Sequence, residues 1–394
     1  MKSDTLKQNS HIPIEIDLTN FLDKDRVVLA LGAELKANYC ILNKQKAYLY
    51  SGFNDLKNPE DYNQYKQSII QQTKRLKLKP QVIAHDLNPL FLSSRLAQEL
   101  NSSGFKTSRI IPIQHHFAHI AGACASLGLK KQEIIGIACD GTGLGDDSKV
   151  WGCEFISYDF KQALRLGHLD YIPLPGGDKA VAEPWRVAAA LLYMCYGDKL
   201  LELPIPWLKQ KKYEIQILGQ MIAKGINTPW ASSAGRLFDG IAALTGLCLK
   251  VSSEAQAAIA LEAEASKVID KQNKTYDYEI KEKSGMFAAD IRKMIKGIVQ
   301  DMENKQTIPD IAAGFHNTFV RILGEIAGKI SAKTKAKHIV LGGGVFFNKI
   351  ILEKLKINLV KQGFCAHQPL PEFLSDAGLS LGQAVLAARG FKSK

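Results

Sequence analysis

The 394-residue chain has no Cys-x-x-Cys pair. Its seven cysteines (Cys40, Cys124, Cys139, Cys153, Cys195, Cys248 and Cys365) are scattered among apolar neighbours, which excludes a zinc finger built on paired thiolates and reads as mostly buried thiols. No apolar run approaches the roughly eighteen residues of a membrane span, and the opening MKSDTLKQNSHIPIEI lacks the apolar centre of a secretory signal. A cytoplasmic protein with no membrane partner is therefore expected. Fixed-period repeats and low-complexity tracts are missing as well, which sets aside solenoids and disorder. None of the glycine-rich segments is a Walker A sequence, GLGDDS included, and no H-E-x-x-H occurs, so the general base of that metalloprotease motif is absent.

What the chain does have is apolar content: 46% of its residues are hydrophobic, enough for a sizeable core and two lobes rather than one. A net charge of +12 suits an acidic partner or a polyanion such as a nucleotide or RNA, yet the lysines are dispersed, as in KQKK at 209–212 and KTKAK at 333–337. Solvated faces account for those runs as well as a binding groove would.

Short apolar runs bounded by Gly or Asn predict strands at 26–34, 37–43 and 46–52, then a helix over 59–76. PQVIAHDL follows as a strand, 91–103 as a helix, TSRIIPIQ as a strand, and then a histidine-bearing helix. The three-strand opening returns at 133–143, 150–159 and 162–172. A mostly helical stretch covers about 180–335, with NKTYDYEI (273–280) as a strand or hairpin within it, and the chain closes with strand 338–344, helix 346–362, a short segment at 363–368 and helix 377–389. The duplicated strand-rich unit predicts an α/β protein of two ribonuclease H-like lobes, the actin, Hsp70 and sugar-kinase (ASKHA) architecture, around a cleft. The expected division is a tail or connector over 1–25, a first lobe over 26–130 completed by the C-terminal helix near 370–390, and a second lobe over 131–369.

Within IQHHFAHIAGA (113–123), His115 and His119 lie four apart and share a helix face if the helix starts near His115. Two histidines at this spacing are commonly no more than satisfied surface residues, so further ligands are needed. Asp140 ends the strand IIGIACD, and Asp376 stands at the N-terminus of the last helix, where capping alone would explain a carboxylate. Together the four form a two-imidazole, two-carboxylate set suited to Fe or Zn with a position left for substrate. Two glycine-rich turns, DGTGLGDD (140–147) and LGGGVFFN (341–348), follow apolar strands and would let backbone N–H groups approach a phosphate. A third segment, SSAGRLFDG (232–240), offers Arg236 and Asp239 to a nucleotide.

The ordered series IQHHFAHIAGA, ACDGTGLGDDSKVWGCEF, PLPGGDKAVAEPWR, SSAGRLFDGIAALTGL, EAQAAIALE, FHNTFVRIL, VLGGGVFFNKIIL and LSDAGLSLGQA resembles the Kae1-like domain of the HypF carbamoyltransferases of nickel–iron hydrogenase maturation. LALGAELKANYCI and VIAHDLNPLFLSSRLA extend the resemblance through the first lobe, so that it covers about residues 12–390, and PLPGGDKAVAEPWR favours HypF over tRNA-modifying relatives. The resemblance implies transfer of the carbamoyl group of carbamoyl-adenylate, made from carbamoyl phosphate and ATP in a YrdC-like domain, to the C-terminal cysteine of HypE. It assigns His115, His119, Asp140 and Asp376 to a divalent metal and places Gly141, Thr142, Gly143, Gly235, Arg236, Asp239, Gly343, Gly344 and Asn348 around the nucleotide, with Mg a further ion to consider.

Departures from the family pattern add expectations. Its acylphosphatase-like, zinc-finger and YrdC-like modules are not in this sequence, and SHIPIEI resembles the connector leaving the last of them, so the adenylate is expected from a separate YrdC-like or HypF adenylating domain. Phe117 stands where a third histidine is usual, leaving His116 as a supporting or packing residue. SSEAQAA replaces the usual YEGQAA, putting Ala255 where glycine is common; a backbone role there would suffer, whereas a plain helix start would tolerate Ala. Competing readings are a tRNA threonylcarbamoyltransferase of the Kae1 kind, to which the basic charge gives slight support, a small-molecule O-carbamoyltransferase, and a non-catalytic nucleotide-binding scaffold.

Overall fold

The computed structural model describes residues 12–19, 21–22, 26–105, 109–129 and 132–391. Ile14–Asp17 (β1) lies at the edge of the first sheet, beside an antiparallel meander of Val27–Ala30 (β2), Tyr39–Asn43 (β3) and Lys46–Tyr50 (β4). After helices Pro59–Arg75 (α1) and Leu92–Leu100 (α2), Val82–Asp86 (β5) and Arg109–Ile113 (β6) complete it as parallel strands, giving the order β1-β4-β3-β2-β5-β6. His115–Ser126 (α3) leads to the second sheet.

The plan is then repeated. Ile134–Leu144 (β7), Val150–Tyr158 (β8) and Ala163–Leu169 (β9) form the second meander, with the two-residue strands Ile172–Pro173 (β10) and Trp230–Ala231 (β11) at its side. The helical stretch comprises Asp178–Ala182 (α4), Trp185–Tyr196 (α5), Pro206–Gln210 (α6), Lys212–Lys224 (α7), Ala234–Leu244 (α8), Gln256–Ser266 (α9), Arg292–Glu303 (α10) and Ile308–Thr334 (α11). A hairpin of Glu279–Lys283 (β12) and Met286–Asp290 (β13) interrupts it and docks β13 parallel to β9. His338–Gly342 (β14) and Cys365–His367 (β15) close the sheet in parallel beside β7, flanking Lys349–Lys361 (α12); Pro371–Leu374 (α13) and Leu379–Ala388 (α14) follow. Two α/β lobes with the same ribonuclease H-like strand order are thus present.

Two expectations change in detail. Residues 14–17, inside the stretch read as connector, extend the first sheet along β4; residues 1–11, 20 and 23–25 of that stretch lie outside the described residues. The hairpin near 273–280 sits instead at 279–290, turning through Ser284 and Gly285, both at positive φ (51° and 81°), the left-handed geometry that suits tight hairpins. β12 reads EIKEK and is largely exposed, so its apolar alternation is too faint to mark it.

Strand alternation explains the layering. Leu29, Ile41 and Ile83 turn to α1 and α2, where they meet Tyr65, Ile69 and Leu96, whereas Val28, Ala30, Leu42 and Ala84 turn inward to α3 and α14. In the second sheet Ile134, Ala138 and Val340 face those same two helices, while Ile135, Ile137 and Phe155 pack on α5, α8 and α11. Helices α3 and α14 are therefore sandwiched between the sheets. Among the described residues no helix is long and apolar enough to cross a membrane.

Candidate metal centre and nucleotide cleft

Helix α3 starts at His115 because the Gln114 side chain accepts the Phe117 N–H at 2.9 Å, capping the first turn. Its body is small (Ala118, Ala121, Gly122, Ala123 and Ala125), and a Cβ at Gly382 of α14 would sit 1.8 Å from the Ala118 carbonyl oxygen. Only glycine permits that approach. The close crossing brings Asp376, two residues before α14's N-cap Gly378, up to the histidine face of α3. Asp140 arrives from β7, where a bulge between Cys139 and Gly143 breaks the register with β8 and re-aims the strand end.

One ligand atom each from His115, His119, Asp140 and Asp376 falls within 4.8 Å of all the others. His115 Nε2 is 3.4 Å from Asp140 Oδ2 and 3.5 Å from Asp376 Oδ1, and His119 Nε2 is 3.7 Å and 3.3 Å from the same atoms. These separations are long for hydrogen bonds, and both Nε2 atoms are buried without a hydrogen-bond partner. Ligands each about 2.0–2.2 Å from one ion would stand roughly this far apart, so the donor set fits a divalent metal. Burial alone would lower the pKa of both imidazoles, but the attraction of Asp86, Asp140 and Asp376 holds His115 well above its ordinary range, and Asp140 and Asp376 raise His119. Burial works in the opposite sense on the carboxylates and is again outweighed, here by the two histidines, so that Asp140 lies well below the usual range and Asp376 at about 2. The site attracts positive charge.

Two residues that the sequence reading did not assign to the site complete it. Asp86, at the end of β5 and fully buried, accepts from His115 Nδ1 at 2.7 Å, which fixes the tautomer and leaves Nε2 to face the cluster. Asn38 donates to the Asp376 carbonyl at 3.0 Å, tying that segment to the first lobe. A signal for Asp86 existed, since it closes the apolar run VIAHD as Asp140 closes the apolar run IIGIACD. His116 is buried and lowered well below its ordinary pKa, chiefly by burial, and Phe117 packs against Trp151 and Phe391. The capping explanation of Asp376 is not realised: α14 begins three residues later and no side-chain cap bond is made.

The nucleotide candidates divide into those lining one wall and those with other duties. Gly141 and Gly235 touch, a Cβ on Gly235 falling 3.1 Å from Gly141 Cα, and an added Cβ on Gly141 would meet only Arg236 Nη2, at 3.9 Å. Thr142 beside them is exposed. Arg236 pairs with Asp239 at 2.9 Å, while its Nε is buried without a partner; burial raises Asp239 to about 6 despite the guanidinium beside it. Gly143 packs instead on the rings of His115 and His116. Gly343, at φ 99°, lies against the Cys139 peptide, and the Gly344 N–H donates to Asp140 Oδ1 at 3.2 Å, coupling the second glycine turn to the metal candidate. Asn348 caps α12 through the Ile351 N–H and meets His316 Nε2 at 3.1 Å, so its side chain is engaged within the second lobe.

The family model for the HypF Kae1-like domain matches residues 23–126, and that for the second subdomain of the carbamoyltransferase Kae1-like domain matches 136–383. A carbamoyltransferase HypF homolog of Cupriavidus necator is 35% identical over 370 residues, covering 92% of this chain and 91% of that protein. Carbamoyltransferase HypF of Synechocystis is 31% identical over 369 residues, or 90% of this chain but 46% of its own length. A crystal structure of full-length HypF in its phosphate- and nucleotide-bound form superposes with a TM-score of 0.86 at 31% identity, covering 97% of this chain and 48% of that one. The chain thus spans about half the length of these last two relatives and nearly all of the first. By sequence and fold it belongs to the HypF carbamoyltransferase family, matching the Kae1-like domain.

Proposed function

We propose that this domain transfers a carbamoyl group from carbamoyl-adenylate to the C-terminal cysteine of HypE, the adenylate being supplied by a YrdC-like domain. The observation that carries the reading is the convergence of His115, His119, Asp140 and Asp376 beside the wall formed by Gly141, Gly235 and Arg236. That a solved full-length HypF structure is in a nucleotide-bound form supports a nucleotide as ligand, and the open Gly141 backbone is the reason for putting the adenylate on that wall.

In this reading His115, His119, Asp140 and Asp376 hold a divalent metal, Fe or Zn by donor type, with Mg a further candidate at the nucleotide phosphates. When bound, the metal supplies Lewis acidity toward a phosphate or carbonyl oxygen of the adenylate. Asp86 keeps His115 in the ligating tautomer. Arg236 Nε offers a donor to a nucleotide oxygen, and the uncluttered Gly141 backbone lets the phosphate approach closely. The acceptor thiolate, having lost its proton, attacks the carbamoyl carbon; the carbon–sulfur bond forms, the bond to the phosphate oxygen breaks, and AMP leaves with the electron pair.

Intact-mass analysis of HypE tests this after incubation with the chain, ATP, carbamoyl phosphate and metal, with and without an added YrdC-like domain. A single carbamoyl gain on the terminal cysteine, lost in His115→Ala, is the expected result. No gain from folded, metal-loaded protein would sink the reading and leave another acceptor or a nucleotide-binding scaffold. The net charge of +12 favours tRNA as that other acceptor, and a salt-sensitive tRNA complex would be its signature.

A further inference from the structure

Glu154, on β8, is fully buried and takes no part in the site described above. Its Oε1 accepts hydrogen bonds from the Gly152 N–H at 2.9 Å, the Cys153 N–H at 3.2 Å and the Ser232 hydroxyl, while Oε2 accepts from Arg165 Nε. Arg165, on β9, leaves 7% of its side chain exposed. Its guanidinium lies 4.0 Å over the Trp151 ring, donates through Nη1 to the Tyr171 hydroxyl at 2.6 Å and through Nη2 to Ser232 Oγ at 3.2 Å. Asp147, in the turn of the β7–β8 hairpin, accepts from Trp151 Nε1 at 2.8 Å and from the Tyr171 hydroxyl.

This polar chain ends at the N-terminus of α8. Ser233, next to Ser232, donates to the Gly141 carbonyl and caps α8 by accepting the Arg236 N–H at 3.0 Å. Asp147, Tyr171, Arg165, Glu154 and Ser232 thus form a polar strut that is exposed at Asp147 and buried at Glu154 and Ser232, and Ser233, the next residue, carries it to Gly141, which meets Gly235 at the nucleotide wall.

We propose that Arg165 is a positioning residue for nucleotide binding: clamped by Glu154, its fork fixes Ser232 and so sets α8 against Gly141 without touching the ligand. The inference rests on the nucleotide reading above. A pair that only stabilises the lobe would give the same loss in a single variant, because removing Arg165 strands a buried carboxylate. Removing both charges at once separates the two roles.

The experiment is calorimetric titration of the full chain with ATP, alongside its melting temperature, for wild type, Arg165→Met, Glu154→Gln/Arg165→Met, Arg165→Lys and Ser232→Ala. The double variant should regain most of the melting temperature lost in Arg165→Met yet bind ATP about tenfold or more weakly than wild type, since small misplacements of a binding element are costly. Arg165→Lys, charged but without the fork, should likewise restore folding ahead of affinity. Ser232→Ala leaves the ion pair in place and should weaken binding while barely moving the melting temperature. Affinity that returns with stability in the double variant, or a folded Ser232→Ala chain binding like wild type, overturns the inference alone. A wild-type chain that binds no ATP overturns the nucleotide reading and this inference with it.

Discussion

The Asp86 carboxylate and the His115 imidazole are joined by a 2.7 Å contact to Nδ1, both residues being almost wholly buried. β5 and β6 run parallel with Asp86 opposite Ile113, two residues before His115, so sheet register delivers the carboxylate to the first turn of α3. Such partners fix ring orientation and raise ligand basicity. Replacing Asp86 by Asn should weaken metal binding by roughly tenfold to a hundredfold while the fold persists. Equilibrium dialysis with Zn or Fe, read beside far-ultraviolet circular dichroism, checks it.

Asp239 gives a pH dependence of defined sign. Its folded pKa of about 6 exceeds the ordinary carboxylate value, chiefly through burial, so the folded chain holds a proton that the unfolded chain has released between about pH 4 and 6. Its contribution is fully present below pH 4 and is lost as pH rises through 6, a difference of about 2–3 kcal/mol. Asp239→Asn should flatten the stability profile over that window, which urea denaturation at intervals between pH 4.5 and 7.5 would show. An unchanged profile would mean that Arg236 keeps the carboxylate charged throughout.

Much of the site was legible before any coordinates. The i, i+4 histidines, the aspartate ending an apolar strand and the aspartate opening the last helix each follow from the period of one element. Meander, helix and parallel strand were likewise readable twice, because strands buried on both faces leave continuous apolar runs. Asp86 was visible as an aspartate closing an apolar strand, but its role was not, nor was that of the Glu154–Arg165 pair, since these roles exist only through contacts between separate strands and turns. β1 and β12 escaped for another reason: as mostly exposed edge strands they carry little apolar pattern. Gly143 and Asn348 show the converse, since motif membership placed them near a nucleotide whereas their contacts are with α3 and with α12 and His316.

Ala255 settles one of the departures noted in the sequence. It is the N-cap of α9 and adopts φ 56°, ψ 10°, a left-handed conformation in which a Cβ is strained, so glycine suits this position better than alanine. The residue is exposed, and no cavity is at stake. Ala255→Gly should stabilise the chain by about 1 kcal/mol, partly offset by the greater freedom of the unfolded chain. A rise in the urea midpoint without a change in slope would be the sign; a fall would show that the cap tolerates alanine without strain.

Gly343 makes the opposite case, a glycine that cannot be replaced. It follows β14 at φ 99°, donates its N–H to the Leu374 carbonyl at 2.6 Å, and would place a Cβ 2.2 Å from the Cys139 carbonyl oxygen. Backbone on both sides leaves no flexible side chain to yield. The displaced Cys139 peptide precedes Asp140, and the next residue, Gly344, holds Asp140 through its N–H, so strain at 343 should reach the metal candidate before it reaches the distant core. Gly343→Ala should cost about 1–3 kcal/mol in stability and impair metal binding and nucleotide binding together. Dialysis for metal, calorimetry for ATP and thermal melting on one preparation separate the outcomes. Loss of stability with both affinities intact would show that the turn relaxes away from Asp140, and would uncouple the second glycine segment from the centre.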